Sequence, residues 1–431
     1  MTLLDDCSTQ EFLDAVISIV GASAVATDLA SRTKASADWA KMSPILAPQL
    51  PLGLADVVAY PSTAEMVGEL LTVAFEHRVP VTPRGKGTGN YGQATPMRGG
   101  MVIDTTKASR VVEVTDGTIT AEAGITMAAL EAAAAETGQQ IWIFPSTVKS
   151  SLGGFLAGGS GGTGSVAHGQ TDGGFVVALD VAHLDGSSRL HHVENDEVVP
   201  YVHAYGTSGF IARATVRTEP AQEWRALYAS FDTFVSALDI VQVLAEVIPC
   251  PRLISADTPT VAAALPADPA IPHGRTSLRT IVDERTVDAI CEIVGRSGGR
   301  VEAVRHGVRA CQKMSLLSYN HPTWHLQKSS AKQYFHLEVI GDALIERYAE
   351  VDAVYDGSEL HIEGGRDRPN GMLNGFYESR EQVYAGIEHL QELGVRVHSP
   401  HEWAVDKNVD LVKSHAALTD PYGLLNPGKL L

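Results

Sequence analysis

Glycine is concentrated in two stretches of the 431-residue sequence, and these constrain its fold more than any other feature. Segment 151–174 holds 10 glycines in 24 residues, and a shorter loop, Gly85-Lys86-Gly87-Thr88-Gly89-Asn90-Tyr91-Gly92, alternates glycine with other residues. Gly87 to Gly92 spells G-x-G-x-x-G after a strand-like Val79-Pro80-Val81. A dinucleotide fold also needs those glycines to open a helix whose N-terminus faces a pyrophosphate. Here Pro96, Gly99 and Gly100 follow within eight residues and the next apolar run reads as strand, so that fold is rejected. The Walker pattern fails too, because Gly85-Lys86 is followed by Gly87 where Ser or Thr is required. What remains is a strand-to-strand loop whose backbone N–H groups point into one concavity, an anion nest without a helix dipole. One such loop is more often a plain surface connection. A second one, Pro145-Ser146-Thr147 leading into Ser151 to Ser165, favours two loops clasping one extended phosphate-bearing cofactor.

The rest of the chain divides around these loops. Residues 1–50 read as a helical arm, with Phe12, Val16, Ile17 and Val20 at helical spacing. Strand Val57–Tyr60 precedes Ser62-Thr63-Ala64-Glu65, a capping-box spelling that pairs Ser62 with Glu65. The following helix carries Met66, Val67, Leu70, Leu71 and Ala74 on one face and ends near His77. Strands follow at Met101–Asp104 and at Arg110–Thr115, the latter turned by Asp116-Gly117 into Thr118–Ala123. A helix near 126–137 ends at Gly138, strand Gln140–Phe144 follows, and further strands fall near 175–182, 188–193 and 210–217. Beyond Pro220 strand and helix patterns alternate without glycine clusters. The expected division is 1–220, then 221–395, then a return to the first unit over 396–431.

Composition removes whole classes of function. With 33 Lys+Arg against 51 Asp+Glu, the net charge is −18, which repels nucleic-acid backbones. The longest uncharged run, Ser150 to Thr171, is eight-twenty-seconds glycine and is no membrane span. Cys7, Cys250, Cys291 and Cys311 lack metal-ligand or CxxC spacing and read as thiols of a reducing compartment. MTLLDDCSTQEF has acids where a signal peptide needs bases, so the expected location is cytoplasmic.

Four ordered pieces now carry a resemblance: PRGKGTGNYGQ (83–93), PSTVKSSLGGFLAGGSGGTGS (145–165), Gly206 to Ile211, and Asn426-Pro427-Gly428-Lys429. Together they resemble the FAD-linked oxidases and dehydrogenases with a vanillyl-alcohol oxidase / p-cresol methylhydroxylase (PCMH) type FAD-binding domain, over about residues 50–220 and the last thirty. The resemblance implies an α+β chain: a two-subdomain PCMH-type FAD-binding domain plus an α/β cap, or substrate, domain with an antiparallel sheet. It implies FAD as cofactor, with Pro83, Arg84, Gly85, Lys86, Gly87, Thr88, Gly89 and Asn90 wrapping the pyrophosphate. Pro145, Ser146, Thr147, Leu152, Gly153, Gly154, Gly158, Gly161, Gly162, Gly164 and Ser165 would line the other side, and Ile211 the adenine or ribose end. Asn426 and Lys429 would pack beside the isoalloxazine. Covalent members carry a His in the first loop and some a Cys in the second segment. Neither is present, so a dissociable FAD is expected. The hydroxy-acid branch carries H-G-D-x-N-x-H and later E-H-G; the nearest spelling, His361-Ile362-Glu363-Gly364-Gly365, does not match, so no metal is expected and a D-2-hydroxy acid is less favoured.

For substrate, residues 300–335 set Arg300, Arg305, Arg309, Lys313, Lys328 and Lys332 against one acid, Glu302. This is either an attractor for an anionic small molecule or a solvated cationic face. His321 and His325 lie within it, and His398 and His401 lie where the chain re-enters the FAD domain. These four are the candidate bases, since imidazole accepts an alcohol proton near neutral pH. His168 is assigned to packing, and His191, His192 and His203 receive no role. The expected activity is FAD-dependent oxidation of a small alcohol or hydroxy acid by hydride transfer to flavin N5. The alternatives are an amine or phenol substrate on the same fold, an FAD-holding electron-transfer subunit, and a cofactor-free binding protein. Residues 221–395 are too large for a pure electron carrier. The electron acceptor and oligomeric state are not legible.

Overall fold

The computed structural model describes residues 6–50 and 52–431, with side chains described from Thr9 onward. Cys7 therefore lies outside the described side chains, as do the first residues of the N-terminal reading.

Three sheets organise the chain. The first runs Val25–Ala26, Val57–Ala59, Met101–Asp104, Val81–Arg84, the last three parallel. Short parallel strands need a covering helix, and Ala64–His77 supplies it, burying Val67, Leu70, Leu71 and Ala74. The cap of this helix differs from the capping-box expectation: Thr63, one residue later than Ser62, accepts from Met66 N at 3.4 Å. The reason is Glu122, which is fully buried and accepts from Ala64 N (3.2 Å) and Arg110 N (2.9 Å), pinning the helix start.

The second sheet is antiparallel, in the order Val111–Thr115, Thr118–Glu122, Phe210–Pro220, Val176–Ala182, Leu190–Glu194. Gln139–Ile141 pairs with the far end of Phe210–Pro220. Gly117, with φ 83°, makes the expected tight turn of the first hairpin. The glycine segment is less irregular than its composition suggests. Leu152–Gly158 forms a helix because Leu152, Phe155 and Leu156 drop into the core of this sheet.

The third sheet has eight antiparallel strands, ordered Arg300–His306, Trp224–Phe231, Thr276–Asp283, Leu253–Asp257, Glu359–Glu363, Asn370–Phe376, Tyr334–Ile340, Arg396–His398. Its last strand lies just past the expected limit at 395. Helices Phe234–Ala245 and Arg380–Glu392 bury Leu238, Val241, Val383 and Leu390 against it. The chain then returns to the first sheet, where Val81 N donates to Leu424 O (2.8 Å) and Asn426 N to Val81 O (2.7 Å).

The eight-stranded sheet also encloses a charge network. Arg279 pairs with Asp257 at 2.5 Å, and His361 sits between Asp257 and Glu363, each at 2.6 Å. The two carboxylates raise His361 to about 9 against the desolvation that opposes them. Breaking a buried pair strands the remaining charge. Asp257→Asn should therefore lower unfolding free energy by about 3–5 kcal/mol, read from denaturant titration; a change within about 0.5 kcal/mol would contradict the network's role.

Candidate functional site

A cavity of about 620 Å³ opens between the two glycine loops and the face of the eight-stranded sheet. On the loop side, strand Val81–Arg84 delivers the first loop directly against the second. A Cβ on Gly85 would stand 1.9 Å from Ser151 Oγ, so only glycine permits that approach. Thr88 Oγ1 and Ser150 Oγ share a hydrogen bond of 2.8 Å, and Gln93 Nε2 donates to Gly158 O at 3.1 Å. Pro83 through Asn90 line the cavity from one side. Pro145, Ser146, Thr147, Gly153, Gly154, Gly158, Gly161 and Ser165 line it from the other, with Ile211 beyond them. Arg84 is drawn toward Asp104 at 4.0 Å, yet its Nη1 is buried with no hydrogen-bond partner. An unpaired guanidinium nitrogen in a residue of the cavity wall suits a phosphate oxygen.

Not every expected residue reaches the cavity. Leu152 is fully buried in the core. Gly162 O accepts from Tyr319 OH (2.7 Å) and Gly164 N donates to Arg252 O (2.6 Å), so both join the FAD side to the cap instead. Asn426 and Lys429 brace the exit of the first loop: Asn426 Nδ2 donates to Gln93 O (2.9 Å) and Tyr205 O (2.7 Å), and Lys429 Nζ to Gly92 O (2.5 Å). Burial lowers Lys429 to about 8.

The four histidines separate. His321 lines the cavity, its Nδ1 3.1 Å from Ser146 Oγ and its Nε2 3.4 Å from Thr147 Oγ1. Burial lowers it to about 4, so it is neutral near pH 7. His325 turns away against Trp324. His401 is buried on Ser43 Oγ at 2.7 Å, and burial lowers it to about 3. His398 stands behind the wall, its Nδ1 3.0 Å from Glu338 and its Nε2 2.6 Å from Asp406. Burial opposes charging of His398, but the carboxylates prevail and raise it to about 10.

The basic segment is also spent elsewhere. Arg300 pairs with Glu302 (2.7 Å) and Arg305 with Asp268 (2.5 Å), while Lys328 lies over Trp324 and Lys332 over Phe376. None of its six cations lines the cavity. The cap wall is instead Tyr319, Asn320, Trp324, Glu338, Asn370 and Met372 beside His321. Tyr91 of the first loop donates to Glu338 across the cavity. Glu338 left one signal in the sequence: it is an acid inside the apolar strand Tyr334–Ile340. Of the histidines given no role, His203 lies 3.6 Å from Asp406, His192 2.7 Å from Asp180, and His191 stacks on His183 at 4.1 Å. His168 stacks on Trp142 at 4.4 Å, a packing contact. Among the described residues, His183, Asp185 and His191, and separately His203, His398 and Asp406, bring three ligand-type atoms within 4.8 Å of one another.

Comparison with known proteins agrees with this geometry. Residues 55–189 match the family profile described as an FAD binding domain. An uncharacterized FAD-linked oxidoreductase of Mycobacterium tuberculosis is 38% identical over 113 residues, 26% of this chain but only 25% of that protein's length. The glycolate oxidase subunit GlcD of Bacillus subtilis is 25% identical over 87% of this chain and 88% of its own. The solved 4-ethylphenol oxidase from Gulosibacter chungangensis superposes with a TM-score of 0.69 at 16% identity, covering 99% of this chain and 98% of that one.

Fold and site together define a two-domain flavoprotein. Residues 55–189 carry an FAD binding domain, FAD is the cofactor, and the fold is the one shared by PCMH-type flavoproteins. The unpaired Arg84 nitrogen and the glycines of both loop walls fit that cofactor. With no His between Arg84 and Asn90 and no Cys between Pro145 and Ser165, FAD should be held without a covalent bond. Acid precipitation should leave the yellow colour in the supernatant; colour retained in the pellet would contradict this.

Proposed function

We propose that the chain is an FAD-dependent oxidoreductase that removes two electrons and two protons from a small molecule at a CH–OH carbon. One observation carries the reading: a single cavity is walled by both glycine loops and, opposite them, by His321 and polar residues of the sheet. The glycolate oxidase relative supports the CH–OH class. FAD, when bound, supplies the two-electron acceptor. His321 Nδ1 is held by Ser146, which leaves Nε2, with its longer contact to Thr147, to take the hydroxyl proton. Trp324, Ile340 and Met372 exclude water from the reacting carbon. The division into an FAD-binding unit over 1–220 and 396–431 and a cap over 221–395 is part of this proposal. A cytoplasmic setting is supported by Cys250, Cys291 and Cys311, which are free thiols. No helix among the described residues is long and apolar enough to cross a membrane.

Purified holoprotein should reduce a soluble dye acceptor only when a small alcohol or hydroxy acid is added, with the matching carbonyl compound formed. Dye reduction by none of these compounds, or without carbonyl product, would overturn the reading.

A further inference from the structure

We infer that the substrate is a hydroxyl-rich alcohol that carries no carboxylate, not a hydroxy-acid anion, and that Glu338 makes this selection. The inference rests on the CH–OH oxidoreductase reading and narrows its substrate class.

Charge around the cavity is divided by side. The cations that line it, Arg84, Lys86 and Lys149, all belong to the glycine loops, where the FAD diphosphate brings negative charge. Among the described residues, Glu338 is the one charged side chain that the cap contributes to the wall. His321 beside it is neutral, because burial lowers its pKa. Burial opposes ionisation of Glu338, but His398 and the hydroxyl of Tyr91 prevail and lower it to about 2. Behind it, His398 lies between Glu338 and Asp406, and Asp406 also faces His203 at 3.6 Å. Of these charged groups Glu338 is the one that lines the cavity. A substrate carboxylate placed there would meet a like charge in a partly desolvated site.

Hydrogen-bonding capacity points the same way. Glu338 is acceptor-only, and its bonds from Tyr91 and His398 leave lone pairs over. Asn320 Oδ1, on the same wall, is buried with no donor, while its Nδ2 lies 3.5 Å from Tyr91 OH. Surplus acceptors require a ligand that brings donors. Vicinal hydroxyls do so, whereas a carboxylate brings only more acceptors.

The test compares molecules that share a carbon skeleton. Anaerobic holoprotein is mixed with propane-1,2-diol or glycerol, and with lactate or glycerate, each as both enantiomers where they exist. The second-order rate of flavin reduction should be at least about tenfold higher for the neutral member, and Glu338→Gln should narrow the ratio. Hydroxy acids that reduce the flavin as fast as their diols would overturn the assignment. A binding pair judges it without turnover: benzyl alcohol and benzoate, followed by perturbation of the flavin spectrum. Glu338→Gln should tighten benzoate by about tenfold and leave benzyl alcohol within about threefold. Benzoate affinity equal in both proteins overturns the inference. If no CH–OH compound reduces the flavin, the oxidoreductase reading fails by itself and the binding pair still decides this one.

Discussion

Gly87→Val is expected to purify as a folded protein that has lost its FAD. Gly87 has φ 62°, and a Cβ there would fall 2.1 Å from Arg84 Nη2. A side chain in the left-handed region costs about 1–2 kcal/mol, which a domain stable by about 5–15 kcal/mol survives. Displacing the guanidinium is the larger consequence, because Arg84 lines the cavity and carries its unpaired nitrogen. Gly161 provides the contrast: a Cβ there meets only Ser165 Oγ at 3.0 Å and Tyr319 at 3.8 Å. Flavin loss in Gly161→Val would therefore report crowding of the cavity itself. Circular dichroism with flavin absorbance per mole of protein separates folding from binding. Full FAD occupancy in Gly87→Val would contradict the placement of the first loop.

The second large effect is expected at His321. His321→Ala should slow flavin reduction by roughly 10² or more, the scale for removing a general base. FAD content should hold, because the first glycine loop is untouched. His325→Ala and His401→Ala should stay within about threefold, since one ring lies on Trp324 and the other on Ser43, away from the cavity. The pH profile carries a sign. Burial keeps His321 neutral until pH falls toward about 4, so its contribution should be constant from pH 6 to 8 and lost as pH falls through about 4. Wild-type reduction rates in His321→Ala would remove it from the reaction.

The FAD side was legible in the sequence because its determinants are local. A glycine that must admit a close neighbour is required whatever the distant chain does, so Arg84 to Asn90 read as a loop, whereas the second glycine segment hid the helix Leu152–Gly158. The cap side depends on strand register. Glu338 meets His398 only because Tyr334–Ile340 pairs with Arg396–His398. Nothing nearby in sequence says which three-residue neighbour of a pair such as His398 and His401 turns inward. The basic segment misled for a related reason: Asp268, which neutralises Arg305, is 37 residues away in the chain. The buried side chains of Asn426 and Lys429 bond the backbone at the exit of the first loop, a role no local pattern in the sequence announces.

The central claim is that one cavity joins bound FAD to a CH–OH substrate. Anaerobic rapid mixing of the holoprotein with small alcohols and hydroxy acids tests it most directly. The account predicts substrate-dependent loss of the oxidised flavin spectrum, with a rate that saturates as the substrate fills the site. Flavin that stays fully oxidised with every compound of both sets, in protein shown to carry FAD, would contradict it.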